Sequence, residues 1–351
     1  MTGNTARQCD GGYGVSGDSA PGPGYVFRPY RGDDDHGPMA AVRRGCARRD
    51  GVDARSVVEG LPTAAEIAED CARLDDPSGN QLLVEHGGGV VGYATIRWWE
   101  ERDGTWLYPH RGYLLPEHRR RGTGSAMLAW AEDRVRHFVR RHGTARAAVL
   151  GADAMASEAD ATALLLDAGY RRVFSLVELE LDDLGQLPER PPLPVGVRVG
   201  AVGPSGYHTA WRTVVDSYAG AAFTETWTFA RFLATADPAC WRAAWNGRDM
   251  AGVALCSLRR HDPTVGEVEE LSVRAESRRL GLGWALLLDG LHCLRAHGAE
   301  TARLYTGTAN PHRSYDLYES AGFRRRNEYV RYRKPVTGPA QAPPHRPETP
   351  A

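Results

Sequence analysis

Lysine is almost missing from this sequence: of 43 basic residues only Lys334 is a lysine. No run of 18 apolar residues occurs, and the richest apolar stretches, Ala126–Ala131 and Trp284–Leu288, are short. A membrane-spanning helix is therefore not expected. The N-terminal residues carry no apolar core of the kind a secretory signal needs. Six cysteines (Cys9, Cys46, Cys71, Cys240, Cys256, Cys293) form no CxxC pair and show no histidine partners at zinc-site spacing. That pattern suits free or packed thiols in a cytoplasmic protein that holds no metal. Any basic excess is missing too: 43 Lys+Arg stand against 44 Asp+Glu, a formal net charge of −1. A nucleic-acid partner is not expected on that balance.

What is present is organised in two parts. At about 150 residues per domain, 351 residues suggest two domains. Residues 1–24, rich in Gly, Ser and Asp, and residues 335–351, rich in Pro, have little to bury and read as disordered tails. Residues 188–195 hold four prolines and read as a semi-rigid linker between bodies at 25–187 and 196–334. The two bodies repeat one another. Each opens with a short extended piece (Phe27-Arg28-Pro29; Val197-Arg198-Val199) and continues into alternating strand patterns. These are Gln81–Glu85 and Val90–Trp98 in the first body, Trp241–Asn246 and Met250–Leu258 in the second. A strand, an Arg-rich Gly loop and an apolar helix follow in both, and Asp167-Ala168-Gly169-Tyr170 answers Ser320-Ala321-Gly322-Phe323.

The loop is Arg-x-x-Gly-x-Gly, at Arg119/Gly122/Gly124 and again at Arg278/Gly281/Gly283. Glycines between a strand and a helix let backbone N–H groups approach an anion, and the helix N-terminus adds partial positive charge. A phosphate loop of the GxxxxGK[ST] type is absent. The dinucleotide fingerprint fails because Met127 and Leu286 stand where Gly or Ala is required.

Strand, Arg-x-x-Gly-x-Gly, helix, strand, and a helix ending in Gly-Phe or Gly-Tyr together resemble the GNAT acetyltransferases. The tandem arrangement is similar to that of mycothiol synthases. The resemblance implies an α/β fold of two tandem GNAT domains, each a mixed, mostly antiparallel central sheet flanked by helices. It implies acetyl-CoA as co-substrate, with its pyrophosphate held by Arg278, Arg279, Leu280, Gly281, Leu282, Gly283 and Trp284. The pantetheine arm would lie along the backbone of Leu271, Ser272 and Val273, with Asn310 bonding its amide or capping the helix that begins near Pro311. In the first body the same roles fall to Tyr113, Leu114, Arg119, Arg120, Arg121, Gly122, Thr123, Gly124 and Ser125.

Acetyl transfer to an amine needs a base to free the nitrogen lone pair and an acid for the departing thiolate. By the family's pattern the base is Glu267, six residues before Val273, with Glu269 as substitute. The acid is Tyr318, four residues before Gly322, with Tyr315 the weaker choice. Strand alternation puts Glu267, Glu269, Leu271 and Val273 on one face and Val268, Glu270 and Ser272 on the other. In the first body Tyr108 takes the place of Glu267 and Leu165 that of Tyr318. Glu100, Glu101 and His110 are the nearby groups that can substitute there. The first domain is thus expected to bind coenzyme without turning it over. The segment Tyr218–Phe232, with Phe223, Glu225, Trp227 and Phe229, is expected to line the acceptor site. The expected partner is a small-molecule amine bound by a monomer or homodimer. A mycothiol precursor, an antibiotic or biosynthetic intermediate, a polyamine or amino acid, and a protein N-terminus all remain open, as does a non-catalytic acyl-CoA-binding role.

Overall fold

The computed structural model describes residues 22–144, 147–218, 228–234, 237–260, 262–308 and 314–336. In the N-terminal half the strands are β1 (Tyr25–Pro29), β2 (Gln81–His86), β3 (Gly89–Ile96), β4 (Trp99–Glu100), β5 (Trp106–Leu114), β6 (Ala148–Met155) and β7 (Arg171–Leu181). The helices are α1 (Asp33–Asp50), α2 (Ala64–Ala72), α3 (Pro77–Asn80), α4 (Thr123–His142) and α5 (Ala159–Asp167). The C-terminal half supplies β8 (Val197–Ala201), α6 (Tyr207–Ser217), α7 (Phe229–Ala234), β9 (Arg242–Asn246), β10 (Asp249–Arg259) and β11 (Asp262–Val273). It ends with α8 (Leu282–Ala296), β12 (Thr301–Gly307), α9 (Ser314–Ser320) and β13 (Arg324–Pro335). Every strand expected from the alternating patterns is present.

Local chemistry sets the helix ends. Three aspartates occupy the first turn of α1 and Gly51 closes it in the left-handed region. Thr63 and Glu66 form a reciprocal capping box on α2. Arg140, Arg141 and His142 crowd the last turn of α4, where the helix dipole favours cations, and Gly143 terminates it at φ 68°.

The strands form one sheet in the order β1-β2-β3-β5-β6-β13-β7-β12-β11-β10-β9-β8. Only β5/β6 and β11/β12 run parallel; the other pairs are antiparallel. The centre of this order holds an exchange. β13, the last of the described strands, completes the N-terminal half by pairing with β6 from Tyr329↔Met155 to Pro335↔Val149. β7, the last strand before the proline-rich segment, completes the C-terminal half by pairing with β12 from Ala302↔Leu181 to Gly307↔Leu176. The two also pair with each other.

The cores follow the exchange. Val330 and Tyr332 pack among Tyr108, Trp130 and Phe138 under α4, whereas Val177, Leu179 and Leu181 pack among Leu286, Leu291 and Leu294 under α8. A buried charge network ties the seam. Glu178 accepts from Val57 N–H at 2.6 Å and Asn327 Nδ2 at 2.8 Å, and Arg303 bridges Asp53 (2.7 Å) and Glu180 (2.9 Å).

The proline-rich segment is not a free tether, since Arg190 Nε donates to Asp289 of α8 at 2.6 Å and His292 Nε2 lies 2.9 Å from the Pro188 carbonyl. The sheet also runs past the expected start of the C-terminal tail: Pro335 ends β13, and Val336 N–H donates to the Ala148 carbonyl. Residues 1–21 and 337–351 of the expected tails lie outside the described residues. No helix among the described residues is long and apolar enough to cross a membrane.

Candidate active site

The two glycine loops are built alike. A short 3-10 turn follows β5 (Pro116–His118) and β11 (Ala275–Ser277). The next arginine staples the loop to the strand it leaves, Arg119 Nε donating to the Leu114 carbonyl at 2.9 Å and Arg278 Nε to the Val273 carbonyl at 3.0 Å. Arg120 (φ 59°) and Arg279 (φ 63°) are the two non-glycine residues in the left-handed region among those described. Gly122 (φ 80°) and Gly281 (φ 75°) then start α4 and α8, with no side chain among the described residues capping the first amides. Arginine held at positive φ is strained, and the geometry leaves a ring of uncapped N–H donors at each helix start.

Their surroundings differ. A cleft of 2170 Å³ runs between the halves and borders the second loop at Ser277–Arg279 and Gly281–Trp284. Leu271, Ser272 and Val273 border it as well, while Leu280 is 53% exposed outside it. Of the first loop's expected residues only Tyr113 reaches this cleft. Arg119 there is clamped by Asp50 through two 2.7 Å bonds. Asn310 lies outside the described residues.

The strand β11 explains how carboxylates reach the cleft. It pairs with β12 only from Val265↔Thr301 to Glu267↔Arg303, then the strands part and leave a wedge. Against β10 its register jumps from Leu255↔Glu270 to Cys256↔Val268, so Glu269 is an extra, bulged residue. A bulge sets two consecutive side chains toward one face and breaks the period of two. The expected division of faces is therefore wrong. Glu267 pairs across from Ser257, Ser257 Oγ donates to Glu269 at 2.5 Å, and Arg259 lies 3.8 Å from Glu267. Tyr218, next to the end of α6, donates to Glu270 at 2.8 Å, and Ser217 meets Ser272 at 2.9 Å. Glu267, Glu269, Glu270 and Ser272 thus share the α6 side, and Leu271 and Val273 turn to the core under α8.

Burial raises all three carboxyls. For Glu267 the Arg259 guanidinium opposes the rise, and for Glu269 the Ser257 hydroxyl does. Glu270 is pushed up to about 7 by burial, against the pull of the Tyr218 hydrogen bond. Glu269 and Glu270 line the cleft; Glu267 sits just behind the lining, beside Arg259. Tyr318 lines it too, its hydroxyl held protonated above the usual phenol range by burial and by the Glu270 charge. Tyr305 is pushed up to about 12 by burial. Tyr315 instead donates to the Thr306 carbonyl at 3.3 Å.

A carboxyl pushed up on folding favours its protonated form, so its stabilising state is lost as pH rises through the folded value. Glu270→Gln should accordingly melt several degrees above the parent at pH 8 and close to it at pH 5. Equal melting temperatures at both pH values, read by thermal denaturation, would contradict this environment for Glu270.

The N-terminal half lacks this constellation. β5 pairs with β3 without a bulge from Gly92↔Leu114 to Ile96↔His110. The count back from Leu114 therefore slips by one. Tyr108 turns into the core under α4 and bonds Thr144 at 2.7 Å, while Pro109 faces the cleft where Glu267 would lie. Arg111 takes the place of Glu270 and pairs with Asp153 at 2.9 Å and Glu59 at 3.3 Å. Leu165 does match Tyr318: its carbonyl accepts from Tyr170 N–H as that of Tyr318 accepts from Phe323 N–H. Of the substitutes, Glu101 is engaged by Arg333 and His110 by Tyr170 at 2.7 Å, with burial pushing His110 down to about 4, while Glu100 is exposed in β4.

Sequence reasoning missed Glu270, Ser257 and Tyr305. The adjacent pair Glu269-Glu270 in a buried strand was the available signal, because only a bulge lets both carboxylates face one cleft. Of the expected acceptor-lining segment, Tyr218 lines the cleft. Phe229 instead packs on His208 and Trp211, and Phe223, Glu225 and Trp227 lie outside the described residues.

The sequence model of the Acetyltransferase (GNAT) family matches this chain twice, at residues 53–169 and 207–323. A mycothiol acetyltransferase of Salinispora tropica is 32% identical over 276 residues, 74% of this chain and 84% of that protein. One of Thermomonospora curvata is 32% identical over 278 residues, 75% of this chain and 83% of that protein. A GCN5-related N-acetyltransferase from Sphaerobacter thermophilus superposes with a TM-score of 0.75 at 21% identity, covering 92% of this chain and 99% of that one. A tandem GNAT protein from the clavulanic acid biosynthesis pathway gives a TM-score of 0.66 at 18% identity, covering 90% of this chain and 100% of that one.

Proposed function

Since this chain belongs to the acetyltransferase (GNAT) family and is an N-acetyltransferase of two tandem GNAT domains, we propose that its C-terminal half acetylates the primary amine of a small molecule from acetyl-CoA, with Glu267 as base and Tyr318 as acid. The observation that carries this reading is the convergence on one cleft of the α8 N-terminus, the β11/β12 wedge and the Glu269 and Glu270 carboxylates, with Glu267 behind them beside Arg259. No described atom lies within 4 Å of a Cβ built on Gly281, and Arg279 already holds the left-handed turn, so the loop has room for a diphosphate. Arg278–Trp284 would hold that group and the backbone of Leu271–Val273 the pantetheine arm. Acetyl-CoA supplies an activated acyl carbon and a thiolate leaving group.

The protein's own part is proton handling. As the new C–N bond forms and the C–S bond breaks, Glu267 takes the amine proton through water and Tyr318 gives its phenolic proton to sulfur. A carboxyl raised by burial is matched to a base working near neutrality, and a phenol kept protonated is matched to the acid. The relatives' name favours a mycothiol-precursor amine among the acceptors left open.

Thiol release from acetyl-CoA across an amine panel tests the reaction. Glu267→Gln should lower kcat by about 10²-fold with donor affinity nearly unchanged, the usual worth of a positioned base. Should Glu267→Gln turn over normally across pH 6–9 while Glu270→Gln is slow, the base is Glu270.

A further inference from the structure

Away from the cleft, three ligating side chains meet where the end of α8 packs on the turn before β9. Cys240 sits in the 3-10 turn Pro238–Cys240, Cys293 in the last turns of α8, and His297 at the residue that ends the helix. One ligand atom from each lies within 4.8 Å of the other two. We propose that Cys240, Cys293 and His297 form a binding site for a divalent ion of the zinc class, held by two thiolates and one imidazole with an open fourth position.

The spacing fits that chemistry. Zinc bonds of about 2.3 Å to sulfur and 2.0–2.1 Å to nitrogen at a tetrahedral angle separate the two atoms by about 3.6 Å. Cys293 Sγ and His297 Nδ1 are 3.7 Å apart. They are residues i and i+4 of one helix, which places them on one face, and Cys240 closes the set from a different element. The Ala239 carbonyl oxygen, a hard donor, lies 4.0 Å from Cys293 Sγ. The end of α8 carries the partial negative charge that favours a cation. Access is graded as well: Cys240 is buried, Cys293 half-buried and His297 exposed, so an ion enters from solvent at the histidine. Ligation would exchange the present 2.9 Å contact between His297 Nδ1 and the Cys293 carbonyl for the metal bond, and would release the two thiol protons to solvent. No proton or electron of acetyl transfer is involved.

Cobalt(II) is the probe, added to the reduced full-length chain. The expected result is one equivalent bound, with an intense thiolate-to-cobalt charge-transfer band and the visible absorption of a tetrahedral ion, both displaced by zinc. Cys293→Ser, at a half-buried position, should abolish the band, and His297→Ala should weaken binding at least tenfold. Cys46→Ser, a thiol in the other half, should leave the titration unchanged. Zinc should also raise the melting temperature of the parent and not that of Cys293→Ser, by mass action on the folded state. A parent protein that gives no charge-transfer band would overturn the proposal. So would a band that survives Cys293→Ser, or a Cys240–Cys293 disulfide that forms in air and is not prevented by zinc.

Discussion

Two polypeptides made by cutting the chain in its proline-rich segment, one ending at residue 187 and one beginning at 196, should each fail to fold alone and should fold together when mixed. The exchanged strands decide this. The N-terminal piece would lack β13, leaving β6 an open edge and its core without Val330 and Tyr332. The C-terminal piece would lack β7 and with it Val177, Leu179 and Leu181. Each such side chain contributes about 1.5–3 kcal/mol by burial. Losing two or three removes an amount comparable with the ~5–15 kcal/mol that holds a domain folded. Near-ultraviolet circular dichroism and size-exclusion chromatography would report expanded or aggregated single pieces and a 1:1 complex with native signal. Two monomers that melt cooperatively on their own would refute the exchange.

Gly283→Glu should abolish acetyl transfer, whereas Gly124→Glu should leave most of it. Neither change threatens the fold. Among the described residues a Cβ at 283 meets Leu317 and Val273 at 3.7 and 3.9 Å, and one at 124 meets Leu164 at 3.6 Å. What each adds is negative charge and bulk at the first turn of a helix whose amides would bind a diphosphate. Only the second loop opens on the cleft that holds Glu269, Glu270 and Tyr318. In the first, Asp50 already places a carboxylate against Arg119, although the backbone donors are in place, so a second and weaker coenzyme site per chain is expected there. Titration calorimetry with acetyl-CoA should lose the tighter site in Gly283→Glu and the weaker one in Gly124→Glu. An inactive Gly124→Glu beside an active Gly283→Glu would move the chemistry to the N-terminal half.

Much of this was legible because its signals are local. Arg-x-x-Gly-x-Gly declares a left-handed turn into a helix, and both copies adopt it, down to the matched φ of Arg120 and Arg279. Alternation between Met250 and Leu258 declares a strand, and β10 is there. The misses are pairing facts. That Glu269 is bulged is a relation between β11 and β10, and no count along β11 alone contains it. The same omission made Tyr108 the counterpart of Glu267 when Pro109 faces the cleft. The exchange was hidden for a related reason: which edge β7 and β13 each join is settled by packing between distant segments. The Asp50–Arg119 clamp spans 69 positions and leaves no mark in either motif.

The crossing of β7 and β13 also imposes an order on synthesis. A ribosome releases the N-terminal residues first, and most domains fold as they emerge. Here the first half has every element but one by residue 181, yet the strand that seals β6 is drawn from residues 324–335, made after the whole second glycine loop and α8. Until then β6 waits as an unpaired edge, the kind of surface that recruits foreign strands. A premature stop between the glycine loop of the second half and β13 would therefore strand the first half too, and loss of residues 324–335 would be felt by the domain farthest from them in sequence.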